Sequence, residues 1–179
     1  MTKFAYIPKY TYEDYKQWEG RWELIEGIAY AMTPLPSIKH QSISQKIAEH
    51  LGTLLKNCKK CTPILPVDWK INDETILQPD NSIICYPLED VNFITEAPTV
   101  IFEILSPSTA TKDKVIKYEI YQEQKVKYYI LVDPKTNSAD ILELKDNNYQ
   151  KMLSTNTDNE KFSFDLEECI IDFDFSLIW

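Results

Sequence analysis

An α/β (α+β) domain with a core of helix, three strands, helix and strand is what this sequence of 179 residues predicts. Three observations lead there. Within "IKHQSISQKIAEHLGTLLKN", Ile43, Ile47, Leu51, Leu54 and Leu55 recur at helical spacing, so a helix is expected over roughly 37–57. Three strand-like segments follow, "PILPVDWKI", "QPDNSIICYP" and "PTVIFEILSPS", punctuated by prolines and by the polar "NDET". Helical spacing then returns in "TKDKVIKYEIYQEQ" at Val115, Ile116, Ile120 and Tyr121, and "KYYILVDP" closes the series as a β-branched and aromatic strand.

The flanking segments add smaller elements. In "TYEDYKQW", Thr11 with Asp14 three residues later is a capping-box variant and opens a short first helix. "RWELIEGIAYAM" alternates about Glu26-Gly27, as an N-terminal hairpin would. A further hairpin is expected in "SADILELKDNNYQKMLS", turning at Asp146-Asn147-Asn148, and "FSFDLEECIIDFDFSLIW" ends the chain with one more strand or short helix. No internal repeat or linker interrupts the pattern, so a single domain over residues 1–179 is expected.

Composition removes several function classes. Apolar runs such as "YYILV" fall far short of the ~20 residues that span a bilayer, and the N-terminus lacks the apolar core of a secretory leader, so a cytoplasmic protein without a membrane span is expected. The glycines, at 20, 27 and 52, build no phosphate-binding loop, which argues against an organic nucleotide cofactor. Cys58 and Cys61 form a C-x-x-C at a predicted helix end, with Cys85 and Cys169 isolated in sequence. No disulfide framework is expected, and the spacing reads as incidental rather than as zinc or redox chemistry. Net charge is −9, which opposes bulk coating of nucleic acid. The charge is uneven, however: five lysines lie between Lys112 and Lys127, whereas 158–174 carries seven acidic residues against Lys161.

Pro79 and Asp80 stand directly before an apolar run that reads as a buried strand. An ionised carboxylate there needs a partner, because burying it alone costs several kcal/mol. Glu103, set among apolar neighbours in "TVIFEIL", raises the same question, and Lys117 lies at the border of the apolar face of the following helix. If the two strands are neighbours, Asp80 and Glu103 can converge on one divalent cation, with the backbone carbonyl of Ile104 and waters completing an oxygen shell. A nearby ammonium would then orient a bound water or offset developing charge. Buried ion pairs account for the same pattern, and both readings remain open at this point.

The Pro79-Asp80 pair, Glu103 on the next strand and a lysine also resemble the PD-(D/E)xK nuclease superfamily. More closely, "WELIEG", "PSIKHQSI", "QPD", "FEILSPST" and "KYEIYQEQKVKYYILVDP" resemble, in the same order, the Uma family of endonucleases. That resemblance implies a restriction endonuclease-like core, a mixed central sheet flanked by helices, and a Mg²⁺-dependent phosphodiesterase for which Mn²⁺ would substitute. It also implies Asp80 and Glu103 as metal ligands and Lys117 as the catalytic lysine. The usual superfamily lysine sits two residues after the acidic ligand, where this chain has Leu105; Lys117 takes its place, ahead of Lys114. Glu23 matches a recurring acidic position of the family but reads equally as a hairpin residue beside Arg21. His40 falls on the core side of its helix, where a lone histidine is more often a packing residue than a ligand.

Two function classes therefore compete. One is hydrolysis of DNA, by a homodimer if both strands are cut, with Lys112, Lys114, Lys125 and Lys127 on the side of the site and exposed aromatics such as Trp179 at the interface. The other is a catalytically silent protein- or nucleic-acid-interaction module on the same fold. A metal-free glycosidase with paired carboxylates is the weakest option, because it leaves Lys117 without a task.

Overall fold

The computed structural model describes residues 7–32, 36–88, 90–155 and 160–179. Residues 1–6, part of the segment read for a leader, and the start of the acidic 158–174 stretch lie outside these. Thr11 caps a short helix α1 (Tyr12–Tyr15) through a capping box with Asp14, and the first hairpin follows as β1 (Trp22–Ile25) and β2 (Ile28–Ala31). Its turn, Glu26-Gly27, has positive φ at both residues, the conformation that matches strand twist in a two-residue loop.

Helix α2 (Ile38–Leu54) continues as a 3₁₀ turn, Leu55–Asn57, and buries Ile43, Ile47, Leu51 and Leu55. The next strands, β3 (Thr62–Ile64), β4 (Asp68–Asn72), β5 (Thr75–Leu77), β6 (Asn81–Ile84), β7 (Phe93–Ile94) and β8 (Val100–Ile104), divide between two sheets. After β8 comes a π-helical turn, Lys112–Lys117, running into α3 (Tyr118–Glu123) and then β9 (Tyr128–Asp133). The hairpin β10 (Ser138–Lys145) and β11 (Asn148–Ser154) turns at Asp146-Asn147, and a second hairpin, β12 (Lys161–Asp165) and β13 (Ile170–Asp174), ends in a 3₁₀ turn.

The larger sheet has the order β11-β10-β9-β8-β6-β3, with all pairs antiparallel except β8 and β9. Read along the chain, α2, β3, β6, β8, α3 and β9 are the expected helix, three strands, helix and strand. A parallel pair needs a crossover connection, and α3 with its π turn supplies it. The other sheet, β2-β1-β5-β4-β7, corrects the reading of the middle segments. "PILPVDWKI" is two strands in different sheets, and Asp73-Glu74 of "NDET" is the turn of the β4–β5 hairpin.

One apolar core lies between α2, the larger sheet and the β12–β13 hairpin, around Ile47, Phe102, Ile130, Phe164 and Phe173. A second lies on the opposite face, around Trp69, Ile101, Tyr121 and Tyr129. Trp179 is half-buried against the first core and so is not the exposed interface aromatic expected of it. All four cysteines are paired, Cys58 with Cys169 and Cys61 with Cys85, contrary to the expected absence of disulfides; separations of 111 and 24 residues hid both pairs from local spacing. Among the described residues, no helix is long and apolar enough to cross a membrane.

Candidate active site

Asp80 stands in the bend before β6, and β6 pairs with β8 so that Asn81 faces Phe102. One residue further along that register, Asp80 comes opposite Glu103, so two carboxylates meet on neighbouring strands. Asp80 does not stand uncompensated there: its Oδ2 accepts the Ile104 N–H at 2.9 Å and lies 3.2 Å from His40 Nε2. His40 occupies the first turn of α2, which Ser37 caps by accepting the His40 N–H. The histidine therefore has a polar partner in the site and is not a core packing residue.

Glu103 shares its face of β8 with Ile101 and Leu105, toward α3, and is 3% exposed. Its Oε1 accepts hydrogen bonds from Lys117 Nζ at 2.8 Å and from the Tyr121 hydroxyl at 2.6 Å. Lys117 also lies 2.8 Å from Glu23 Oε1 and 3.6 Å from Asp113 Oδ1. Glu23, fully buried on β1, receives Lys112 on Oε2 and the Gln78 N–H on Oε1. It is thus no hairpin surface residue beside Arg21, whose Nε turns instead to Gln78 Oε1 at 3.1 Å.

The π turn explains why Lys117 is buried rather than at a border. Asp113, Lys117 and Tyr121 form the inward stripe, while Val115, assigned to the apolar stripe by its spacing, is 52% exposed. A π turn takes an extra residue to close each hydrogen bond, which rotates the residues after it relative to an α-helical register. Asp113 and Tyr121, one turn either side of Lys117 by helical spacing, are brought into the site with it. The signal available was their i, i+4, i+8 relation through Lys117.

Burial and neighbouring charge act together on these groups. Burial pulls the Lys117 ammonium down, but Glu103, Glu23 and Asp113 outweigh it and hold the group well above its ordinary range. For Glu103, burial dominates and raises the carboxyl well above the usual carboxylate range; Lys117 opposes the rise, and Asp113, Asp80 and Glu23 add to it. The two partners differ because Lys117 answers to three carboxylates and Glu103 to one ammonium. Glu23, although desolvated, is lowered by Lys117 and Lys112 together.

These groups open onto a cleft of ≈ 540 Å³, lined among others by Asp80, Glu103, Ile104, Lys117, Asp113 and His40. The donor set fits a hard divalent cation. It offers two carboxylates from adjacent strands and the Ile104 backbone at the wall, while Asp113 Oδ1 is buried there without a hydrogen-bond partner among the described residues. Arg21, Lys39, Lys112 and Lys135 also line the cleft. The positive groups were expected elsewhere. Of Lys112, Lys114, Lys125 and Lys127, only Lys112 lines it; Lys125 and Lys127 bind Asn147 and the Asp165 carbonyl, near the opposite end of β9 from Pro134 and Lys135.

Strand order, crossover and cleft define a restriction endonuclease-like fold. A solved structure from Anabaena variabilis, titled a "putative nuclease", superposes with a TM-score of 0.72 over 94% of this chain and 96% of that one, at 16% sequence identity. The chain belongs to the Uma2 family, described as "Putative restriction endonuclease", whose profile matches residues 12–169. A relative from Synechocystis sp., the uncharacterized protein slr1290, is 30% identical over 155 residues, covering 79% of this chain and 78% of that protein.

Proposed function

We propose that residues 1–179 form one domain acting as a Mg²⁺-dependent endonuclease on DNA, with Asp80, Glu103 and the Ile104 carbonyl as metal ligands and Lys117 as the catalytic lysine. Mn²⁺ would substitute for Mg²⁺. The observation that carries this reading is the meeting of Asp80, Glu103 and Lys117 in one cleft. When bound, a divalent cation there supplies an activated water and polarises a phosphoryl oxygen.

The chain's own groups do the rest. Lys117, hydrogen-bonded to Glu103 and paired with Glu23, would place its ammonium to offset the charge that develops on the phosphoryl oxygens. Glu23 and Asp113 are positioning residues that hold this ammonium in place. His40 steadies Asp80 through Nε2 and lines the same cleft. Arg21, Lys39 and Lys135 give the cleft a cationic wall suited to a phosphate backbone, on a chain whose net charge of −9 would otherwise repel it. Cutting both strands calls for two such centres, so a homodimer in the cytoplasm belongs to the same reading.

Calorimetric titration of Mn²⁺ into the wild type and Asp80→Ala tests the metal site without choosing a substrate. Specific binding lost in the variant, followed by Mn²⁺-dependent plasmid nicking that Glu103→Ala and Lys117→Ala abolish, is the expected result. Identical titrations of two folded proteins would reject Asp80 as a ligand and favour the interaction module.

A further inference from the structure

We propose that Cys58, Cys61, Cys85 and Cys169, as thiolates, form a tetrathiolate site for one Zn²⁺, remote from the cleft. Sequence spacing left Cys85 and Cys169 isolated, but the fold removes that objection. Cys58 and Cys61 bracket a tight turn in which the Cys61 N–H donates to the Cys58 carbonyl at 3.3 Å. The β3–β6 register, Thr62 opposite Ile84, sets Cys61 against Cys85 on the neighbouring strand. Cys169 arrives from the turn between β12 and β13, which Lys60 draws toward the C-x-x-C segment through Glu168.

Three segments far apart in sequence thus supply the four sulfurs, three lying together and the fourth bonded to one of them. The Sγ atoms of Cys58, Cys61 and Cys169 lie within 4.8 Å of one another, and Cys85 is bonded to Cys61. A tetrahedral zinc with Zn–S bonds of ~2.3 Å separates its sulfurs by roughly 3.8 Å, so on reduction the paired sulfurs must part to about that distance and Cys85 must turn toward the other three. Cys58 and Cys61 are buried and Cys85 and Cys169 pack against the first core, as in a closed structural site rather than one open to substrate.

The paired sulfurs seen here are the same four atoms that the metal would take, so disulfide pairing and zinc binding exclude each other. In the reduced chain, four thiols and one Zn²⁺ give the tetrathiolate and release four protons. The site would bind the end of α2, the edge of the larger sheet and the C-terminal hairpin into one unit, the task its disulfides perform when oxidised.

Cobalt substitution tests this. Reduced wild-type protein titrated with Co²⁺ should take up one equivalent with sulfur-to-cobalt charge transfer and the intense visible bands of tetrahedral thiolate cobalt, both displaced by one equivalent of Zn²⁺. Asp80→Asn should keep these bands, which separates the site from the cleft, and Cys58→Ser/Cys61→Ser should lose them. If that double variant fails to fold, the wild type decides alone: thiol modification of the zinc-loaded chain should release one zinc. Cobalt bound without thiolate bands, thiol modification without zinc release, or cysteines that stay paired in excess reductant would each overturn the proposal.

Discussion

Lys117 reaches Glu103 from the helix that follows the strand: Nζ lies 2.8 Å from Oε1, across 14 residues of chain. In the commoner arrangement the lysine and the acid share one strand, two residues apart. Here Leu105 fills that position, and the ammonium comes from a crossover helix that also brings Asp113 and Tyr121.

Replacing Lys117 with Met leaves Glu23, Glu103 and Asp113 buried without their shared cation. Removing one member of a buried ion pair costs about 3–5 kcal/mol, and urea denaturation near neutral pH should show a loss of that order. Adding Glu23→Gln should recover part of it, whereas metal-dependent cleavage should stay absent in both proteins.

Leu105 shares Glu103's side of β8 and lines the cleft. Leu105→Lys in the Lys117→Met background should therefore raise plasmid nicking above that of Lys117→Met alone. No gain, with both proteins folded, would mean that the ammonium must come from the helix.

Asp80 has two separable tasks, and two substitutions divide them. Asp80→Ala leaves the buried Ile104 N–H unpaired, at a cost of about 1–3 kcal/mol, while Asp80→Asn keeps an acceptor for it. Chemical denaturation should place Asn close to wild type and Ala below it. Both should lose Mn²⁺ affinity in calorimetry, since an amide is a far weaker ligand than a carboxylate.

His50 supplies a pH dependence away from the cleft. Its Nε2 accepts the Asp174 N–H at 3.1 Å, which requires a neutral ring, and burial lowers its pKa below the ordinary value against the pull of the Asp174 carboxylate. A histidine lowered in the folded state contributes stability that is full above its unfolded pKa and is lost as pH falls through the folded one. Urea midpoints should drop between about pH 7 and pH 5, and His50→Gln should flatten that part of the profile.

Gly27 has φ +78°, and a Cβ there would stand 2.8 Å from Lys9 Cδ and 3.3 Å from the Tyr10 carbonyl oxygen. Gly27→Ala should cost about 1–2 kcal/mol from the left-handed backbone alone, read as a lower denaturation midpoint.

The core succession was legible because α2 carries a long periodic signal and β8 and β9 are nearly continuous apolar runs. β4 and β5, either side of "NDET", and β7 were not, since strands of five, three and two residues leave little pattern to read. Asp80, Glu103 and Lys117 stood out as polar groups in apolar company, which is the energetic anomaly a site produces. Val115 was misplaced because helical phase was counted at the α-helical period across a π turn. Pairing of the cysteines depends on β3 meeting β6 and on the hairpin folding back over α2, contacts that no local window contains.

The π turn makes the lysine's position depend on a surplus residue rather than on a residue type. Deleting any one residue between Thr111 and Lys117 would let a regular α-helix run through, with a better backbone ladder. Lys117 would also swing by ~100° and leave Glu23 and Glu103 without their common cation. Backbone regularity and charge balance thus pull this helix in opposite directions, and the chain is built in favour of charge. Length variation in this one turn should be far less tolerated than most substitutions on its outer face.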